Sequence, residues 1–140
     1  MSVSRRDFVV GSAASLGALA WSGASLASAK SSSDLRIAII GVRGRGQEHF
    51  KGLKKNVVAL CDVDGKILAE RASAWKEDLG RSLDTYVDYR KLLERDDIDA
   101  VSIATPNHTH SLIGIAAAQA GKHVYVEKPV SHNMWEGRQL

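Results

Sequence analysis

The run Leu35-Arg-Ile-Ala-Ile-Ile-Gly-Val-Arg-Gly-Arg-Gly46 constrains the fold more than any other stretch of the chain. Consecutive apolar residues without polar alternation leave no strand face for water, so a strand here has to be covered on both sides, as in a parallel sheet. The glycine-rich turn after it admits backbone angles closed to other residues and lets an anion approach the main chain, where the next helix presents its N-terminal N–H groups. In a dinucleotide-binding unit that anion is a pyrophosphate. Gly41 and Gly46 match the first and third glycines of the fingerprint, Arg43 occupies the second, and Gly44 is displaced by one. Gly41, Val42, Arg43, Gly44, Arg45 and Gly46 are therefore candidate cofactor contacts. The alternative is a tight strand-to-helix turn that binds nothing.

The chain before this strand carries a different signal. Arg5-Arg6 followed by Phe8 and Val9 has the form of a twin-arginine export signal, residues 9–26 are uncharged and weakly apolar, and Ala27-Ser28-Ala29 suits a signal peptidase. Residues 1–29 read as a cleaved signal peptide and 30–34 as a linker, which makes the twin-arginine machinery a partner and the periplasm the destination. A retained membrane anchor is the competing reading, disfavoured because Gly and Ser make the span poorly apolar. The rest, 35–140, is one domain of ordinary size. Three of the 19 basic and one of the 16 acidic residues lie in the first 30, so residues 31–140 carry a net charge of only +1. Such a mixed surface offers no footprint for nucleic acid. The lone Cys61 can form no internal disulfide and reads as buried packing.

Asn56-Val-Val-Ala-Leu-Cys-Asp62 is a second apolar run, ending in an acid 21 positions after Gly41. In a βαβ dinucleotide unit the acid ending the second strand lies about 20 residues after the loop and accepts hydrogen bonds from the adenosine ribose. A carboxylate there repels the 2′-phosphate of NADP, so NAD is the expected cofactor and NADP the alternative. Asp64 caps a helix from Gly65 to about Leu79, with Ile67, Leu68, Ala72 and Trp75 on one face. A short strand at Thr85-Tyr-Val87 follows, then a helix capped by Asp88 and running through Leu92 and Leu93. The fourth strand, Ala100–Ala104, stops at Thr105-Pro106, and Asn107 caps a helix from His108 to Ala120 closed by Gly121. The fifth strand is His123–Glu127, with Lys128-Pro129 at its end.

Strands alternating with helices at this spacing predict an α/β fold, a doubly wound parallel sheet of Rossmann type that binds ligands outside the C-terminal strand ends. Thr105, Pro106, Asn107, Glu127 and Lys128 fall at such ends and join Arg43 and Asp62 as cofactor-binding candidates. His108 and His110 stand two apart at a helix start, pointing to opposite sides with no Cys or acid at ligand spacing, so no metal site is expected. His110 is instead expected to line the nicotinamide pocket, the alternative being a plain helix N-terminal residue.

Three stretches together resemble one family. Ile40-Gly-Val-Arg-Gly-Arg-Gly46, Asp99-Ala-Val-Ser-Ile-Ala-Thr-Pro-Asn-His-Thr-His110 and Ala120-Gly-Lys-His-Val-Tyr-Val-Glu-Lys-Pro129 are similar to the N-terminal NAD(P)-binding domain of the Gfo/Idh/MocA oxidoreductases, the group of glucose-fructose oxidoreductase and inositol dehydrogenase. The resemblance spans residues 35–140 and implies that Lys128 is catalytic, contacting substrate and nicotinamide. An ammonium there would stabilise negative charge on a carbohydrate oxygen as hydride leaves the carbinol. Glu127 would position the lysine or touch the nicotinamide ribose.

The family's second domain, an open antiparallel sheet supplying most substrate contacts, is expected after Leu140, where a helix beginning near Asn133 is cut short. The chain is thus expected to be a truncated part of an oxidoreductase of small-molecule carbohydrates. It would be inert alone, with any homo-oligomer formed through the missing domain. An NAD-dependent glycoside hydrolase of the same superfamily and a non-catalytic NAD-binding fragment are the alternatives.

Overall fold

The computed structural model describes residues 31 and 33–140; the export signal expected at residues 1–29 lies outside them. Among the described residues five strands form one all-parallel sheet: β1 (Ile37–Ile40), β2 (Val57–Cys61), β3 (Asp84–Tyr86), β4 (Ala100–Ile103) and β5 (His123–Val126), in the order β3-β2-β1-β4-β5. The connecting helices are α1 (Arg45–Leu53), α2 (Gly65–Leu79), α3 (Tyr89–Leu93) and α4 (His110–Gln119), and α5 (Met134–Gln139) follows β5.

The unbroken apolar strands are explained by two cores. Successive strand residues point to opposite faces, so Ala38 and Ile40 meet Leu92, Ile98 and Ile113 on the α3/α4 side, while Ile39 meets Phe50, Leu68 and Trp75 on the α1/α2 side. The sheet is therefore doubly wound, as the alternating pattern predicts. Phe50 and Trp75 stack at 3.9 Å between centroids and 5° between planes, locking α1 to α2. Such a pair adds about 0.5–1.5 kcal/mol beyond the area it buries.

Register is what builds a site at one end of this sheet. Ile40 pairs with both Cys61 and Ile103, and Ile103 pairs with Val126. The next residue of each strand continues the ladder: the N–H of Gly41 donates to Cys61, that of Ala104 to Ile40, and that of Glu127 to Ile103. Gly41, Asp62, Ala104 and Glu127 consequently form one row along the C-terminal edge, despite their separation in sequence.

Helix ends follow the side-chain chemistry in most places. Asp64 accepts from the N–H groups of Lys66 and Ile67, Asp88 from that of Arg90, and Asn133 from that of Glu136. The fourth connection departs from expectation. Asn107 does not cap a helix starting at His108; residues Asn107–Thr109 make a 3-10 turn and the α-helix begins at His110. Pro106 is extended and its carbonyl accepts both the N–H and the hydroxyl of Thr109, an i to i+3 closure that tightens the first turn. The third strand also ends a residue early, leaving Val87 outside it and 61% exposed.

Candidate functional site

The C-terminal edge opens into a cleft of about 730 Å³. Its floor is the turn after β1, where two glycines are required by contact. A Cβ on Gly41, at φ +89°, would lie 2.7 Å from the Ala104 carbonyl oxygen, and one on Gly46 would lie 1.9 Å from the Gly41 carbonyl oxygen. These are the tight-turn and close-packing roles of the first and third fingerprint glycines. Gly44 differs: at φ +44° it has open space where a Cβ would be, so the loop is unobstructed on its ligand side. Helix α1 starts directly after it with no side-chain cap; the N–H groups of Gly46 and Gln47 close onto the Arg43 and Gly44 carbonyls, which leaves that of Arg45 for an anion. A pyrophosphate fits this turn even with Arg43 at the second fingerprint position, because Gly44 supplies the clearance one residue later.

Two of the predicted loop contacts lie behind that floor. Val42 is fully buried in the core and Gly46 is also buried, so neither lines the cleft. The N–H of Val42 instead donates to Asp62 Oδ2 at 3.0 Å, and the N–H of Asp64 donates to Asp62 Oδ1 at 3.0 Å. The Asp62 carboxylate is thus aimed by two backbone groups and keeps acceptor capacity for a diol. Below it, burial pushes the Cys61 thiol up to about 12, with Asp62 adding to the effect, so the sulfur is inert packing.

The arginines part company. Arg43 pairs with Asp64 at the Asp62 end of the cleft, while Arg45 donates through Nε and Nη2 to Glu127 Oε1, each at 3.1 Å, at the opposite end. Glu127 is also held by His49, whose Nε2 lies 2.9 Å from the same oxygen and whose Nδ1 lies 2.8 Å from the Ser102 hydroxyl. The His49 bond, and then Arg45, hold the Glu127 carboxyl down to about 2. Any stability this carboxylate contributes is therefore complete above the ordinary glutamate range and is lost as the pH falls through about 2.

Thr105, Pro106 and Asn107 line the cleft wall between these ends. His110 also borders it, yet neither ring nitrogen is free for a cofactor: Nδ1 is 2.7 Å from the Pro129 carbonyl and Nε2 is 2.7 Å from the Thr105 carbonyl. Its two ring nitrogens tie two loops together, with the residue 1% exposed. Lys128 stands exposed on the rim, and its ammonium makes no hydrogen bond or ion pair among the described residues.

Sequence reasoning missed His49, Ser102 and Val63. His49 lies one helical turn after Arg45 on the same face, but its partners are 53 and 78 residues away in sequence. Val63 is 91% exposed at the cleft mouth between Asp62 and Asp64, an apolar flank that an acid-apolar-acid triplet after a strand can signal.

Comparison with known proteins gives the same picture. The profile of the oxidoreductase family with an NAD-binding Rossmann fold (GFO_IDH_MocA) matches residues 35–140. The chain is 38% identical over 112 residues to glycosyl hydrolase family 109 protein 2 of Shewanella sp. (strain ANA-3), covering 74% of this chain and 24% of that protein. It is 36% identical over 100 residues to myo-inositol 2-dehydrogenase of Thermotoga maritima, covering 71% and 30%. Among solved structures, levoglucosan dehydrogenase in complex with NADH aligns with a TM-score of 0.64 at 30% identity, over 75% of this chain and 30% of that one. The chain thus spans about a quarter to a third of the length of these relatives.

Proposed function

The chain belongs to the Gfo/Idh/MocA oxidoreductase family and carries its NAD-binding Rossmann domain, and from that premise we propose that it serves a dehydrogenase acting on a sugar or polyol hydroxyl. The observation that carries this reading is the place of Lys128. It shares one cleft with the glycine turn and Asp62, and its ammonium is unpaired among the described residues, so its charge is available to a ligand oxygen. Bound NAD supplies the hydride acceptor. Asp62 would hold the ribose diol, the α1 N-terminus the pyrophosphate, and Lys128 the oxygen on which negative charge grows as the carbinol is oxidised.

A second reading is favoured by the relatives named as family 109 glycosyl hydrolases: transient oxidation of a glycoside by retained NAD. Turnover by the full-length protein separates the two. NADH accumulating with a free sugar or polyol supports the dehydrogenase, whereas glycoside cleavage without net NADH supports the hydrolase. Absence of both would sink the enzymatic reading.

The same cleft favours NAD over NADP. Asp62 and Asp64 both line the cleft, so a 2′-phosphate on a ribose held by Asp62 would meet their carboxylates, and Arg43 is already paired with Asp64. Like-charge repulsion at partly exposed dielectric amounts to a few kcal/mol, so a preference of about ten- to a hundredfold for NAD is expected. Calorimetric titration with both oxidised cofactors, beside Asp62→Ala, checks this. An unchanged NAD to NADP ratio in the variant would remove Asp62 from the role.

Export through the twin-arginine route is supported by Arg5-Arg6 and the Ala27-Ser28-Ala29 site. Replacing both arginines by lysine is expected to leave the protein in the cytoplasm, measured by fractionation. Undiminished periplasmic protein would overturn the assignment.

A further inference from the structure

We propose that His49 and His110 are positioning residues that hold Lys128 in place from opposite faces of the sheet, an inference resting on the reading of Lys128 above. The lysine has no side-chain partner among the described residues, yet the residues on either side of it are each gripped by a buried imidazole. His49, on α1, donates from Nε2 to the Glu127 carboxylate at 2.9 Å, and His110, at the start of α4, has Nδ1 2.7 Å from the Pro129 carbonyl. Helices α1 and α4 pack against different faces, so the two grips come from opposite sides.

The proton inventory closes at His49. An ionised Glu127 only accepts, so His49 Nε2 carries the proton and Nδ1 accepts from the buried Ser102 hydroxyl. That hydroxyl sits on β4, so the grip is anchored in the sheet itself. His110 sits between two carbonyl oxygens, 2.7 Å from each, donates from whichever nitrogen carries its proton, and so bridges the Thr105 loop to the Pro129 loop. Arg45 also reaches Glu127, but its side chain is 66% exposed against 6% for His49, and an exposed ion pair contributes little. The cofactor wall at Thr105 and the lysine loop are thereby fixed to each other. Misplacement of a reacting group by an ångström costs about a hundredfold in rate, which gives such fixing a purpose.

The test reads lysine placement directly. Lys128 is acetylated with an amine-selective reagent, with and without saturating NADH, and its modification is followed by peptide mass spectrometry. In the unmodified protein NADH is expected to protect Lys128 by about tenfold or more, as a group held against the ligand should be. In His49→Ala and His110→Ala, saturated with NADH and shown folded by circular dichroism, protection is expected to fall to about twofold. His49→Gln, which keeps a donor toward Glu127, should recover most of it. A merely structural role would lower melting temperature without changing protection at saturation, so undiminished protection in both folded variants overturns the proposal. Should the alanine variants not fold, Ser102→Ala takes their place, and protection equal to wild type there overturns it too. Absence of protection in the unmodified protein would instead overturn the Lys128 assignment itself, and the positioning roles with it.

Discussion

Replacing Lys128 by methionine is expected to lower kcat of the full-length protein by about 10²–10³-fold, the loss seen when one preorganised donor to a developing oxyanion is removed. The dissociation constant for NADH should change by less than about threefold, because the pyrophosphate and ribose contacts lie elsewhere in the cleft. Methionine keeps the length and apolar stem of the side chain and removes only the charge. Since the ammonium is exposed and has no partner among the described residues, its removal leaves nothing buried and unpaired, and the melting temperature should not move. Lys128→Arg should rescue poorly despite its charge, since a planar fork places its donors differently from a compact ammonium. Stopped-flow measurement of NADH formation, beside calorimetric binding, separates the two quantities. Retention of kcat within a factor of about five in the methionine variant would show that charge at this position does not act on the substrate oxygen.

The fold was legible because the two strands that flank the glycine turn announce themselves twice, by an unbroken apolar run and by a polar residue or glycine at the end. Ile37–Ile40 before Gly41 and Val57–Cys61 before Asp62 are those strands, and the parallel register follows from them. Less visible were contacts whose partners lie far apart in sequence. His49 meets Ser102 and Glu127 across 53 and 78 residues, and nothing local to a lone histidine on a helix foretells either. His110 shows the converse: its location beside the cleft followed from the Thr-Pro-Asn turn, but its orientation depended on two carbonyl oxygens that only a folded loop brings together. The Asn107 cap failed for a local reason that propensity alone does not weigh. Pro106 offers its carbonyl to Thr109, so Asn107 lies inside the first tight turn rather than at the position that caps it.

Gly46→Ala is expected to be the most damaging single-methyl change in the domain. The added Cβ would fall 1.9 Å from the carbonyl oxygen of Gly41 and 2.9 Å from its carbonyl carbon, both backbone atoms that no rotamer change can move. Gly41 is itself hemmed in, since the space a Cβ on it would take is 2.7–2.9 Å from the Ala104–Thr105 backbone. Helix α1 must therefore back away from β1, loosening Phe50 in the core and moving the Arg45 N–H off the anion position. Overpacking of this kind costs about 3 kcal/mol or more when backbone is the obstacle. For a domain near 100 residues that corresponds to a fall in melting temperature of about 12–20 °C. NADH affinity should fall at least about a hundredfold in whatever fraction stays folded, because the turn and the helix dipole act on the pyrophosphate only from their native positions. Two other glycines give the contrast. Gly52 lies in the same helix with open space around a Cβ, so Gly52→Ala should stabilise the protein by up to about 1 kcal/mol. Gly44 also has space but sits at φ +44° and ψ −112°, outside the left-handed helical region, so Gly44→Ala should cost about 1–3 kcal/mol through backbone strain alone. Thermal melts of the three variants test the ordering. A Gly46→Ala protein as stable as Gly44→Ala would mean that β1 and α1 do not meet at the close approach on which the cofactor turn depends.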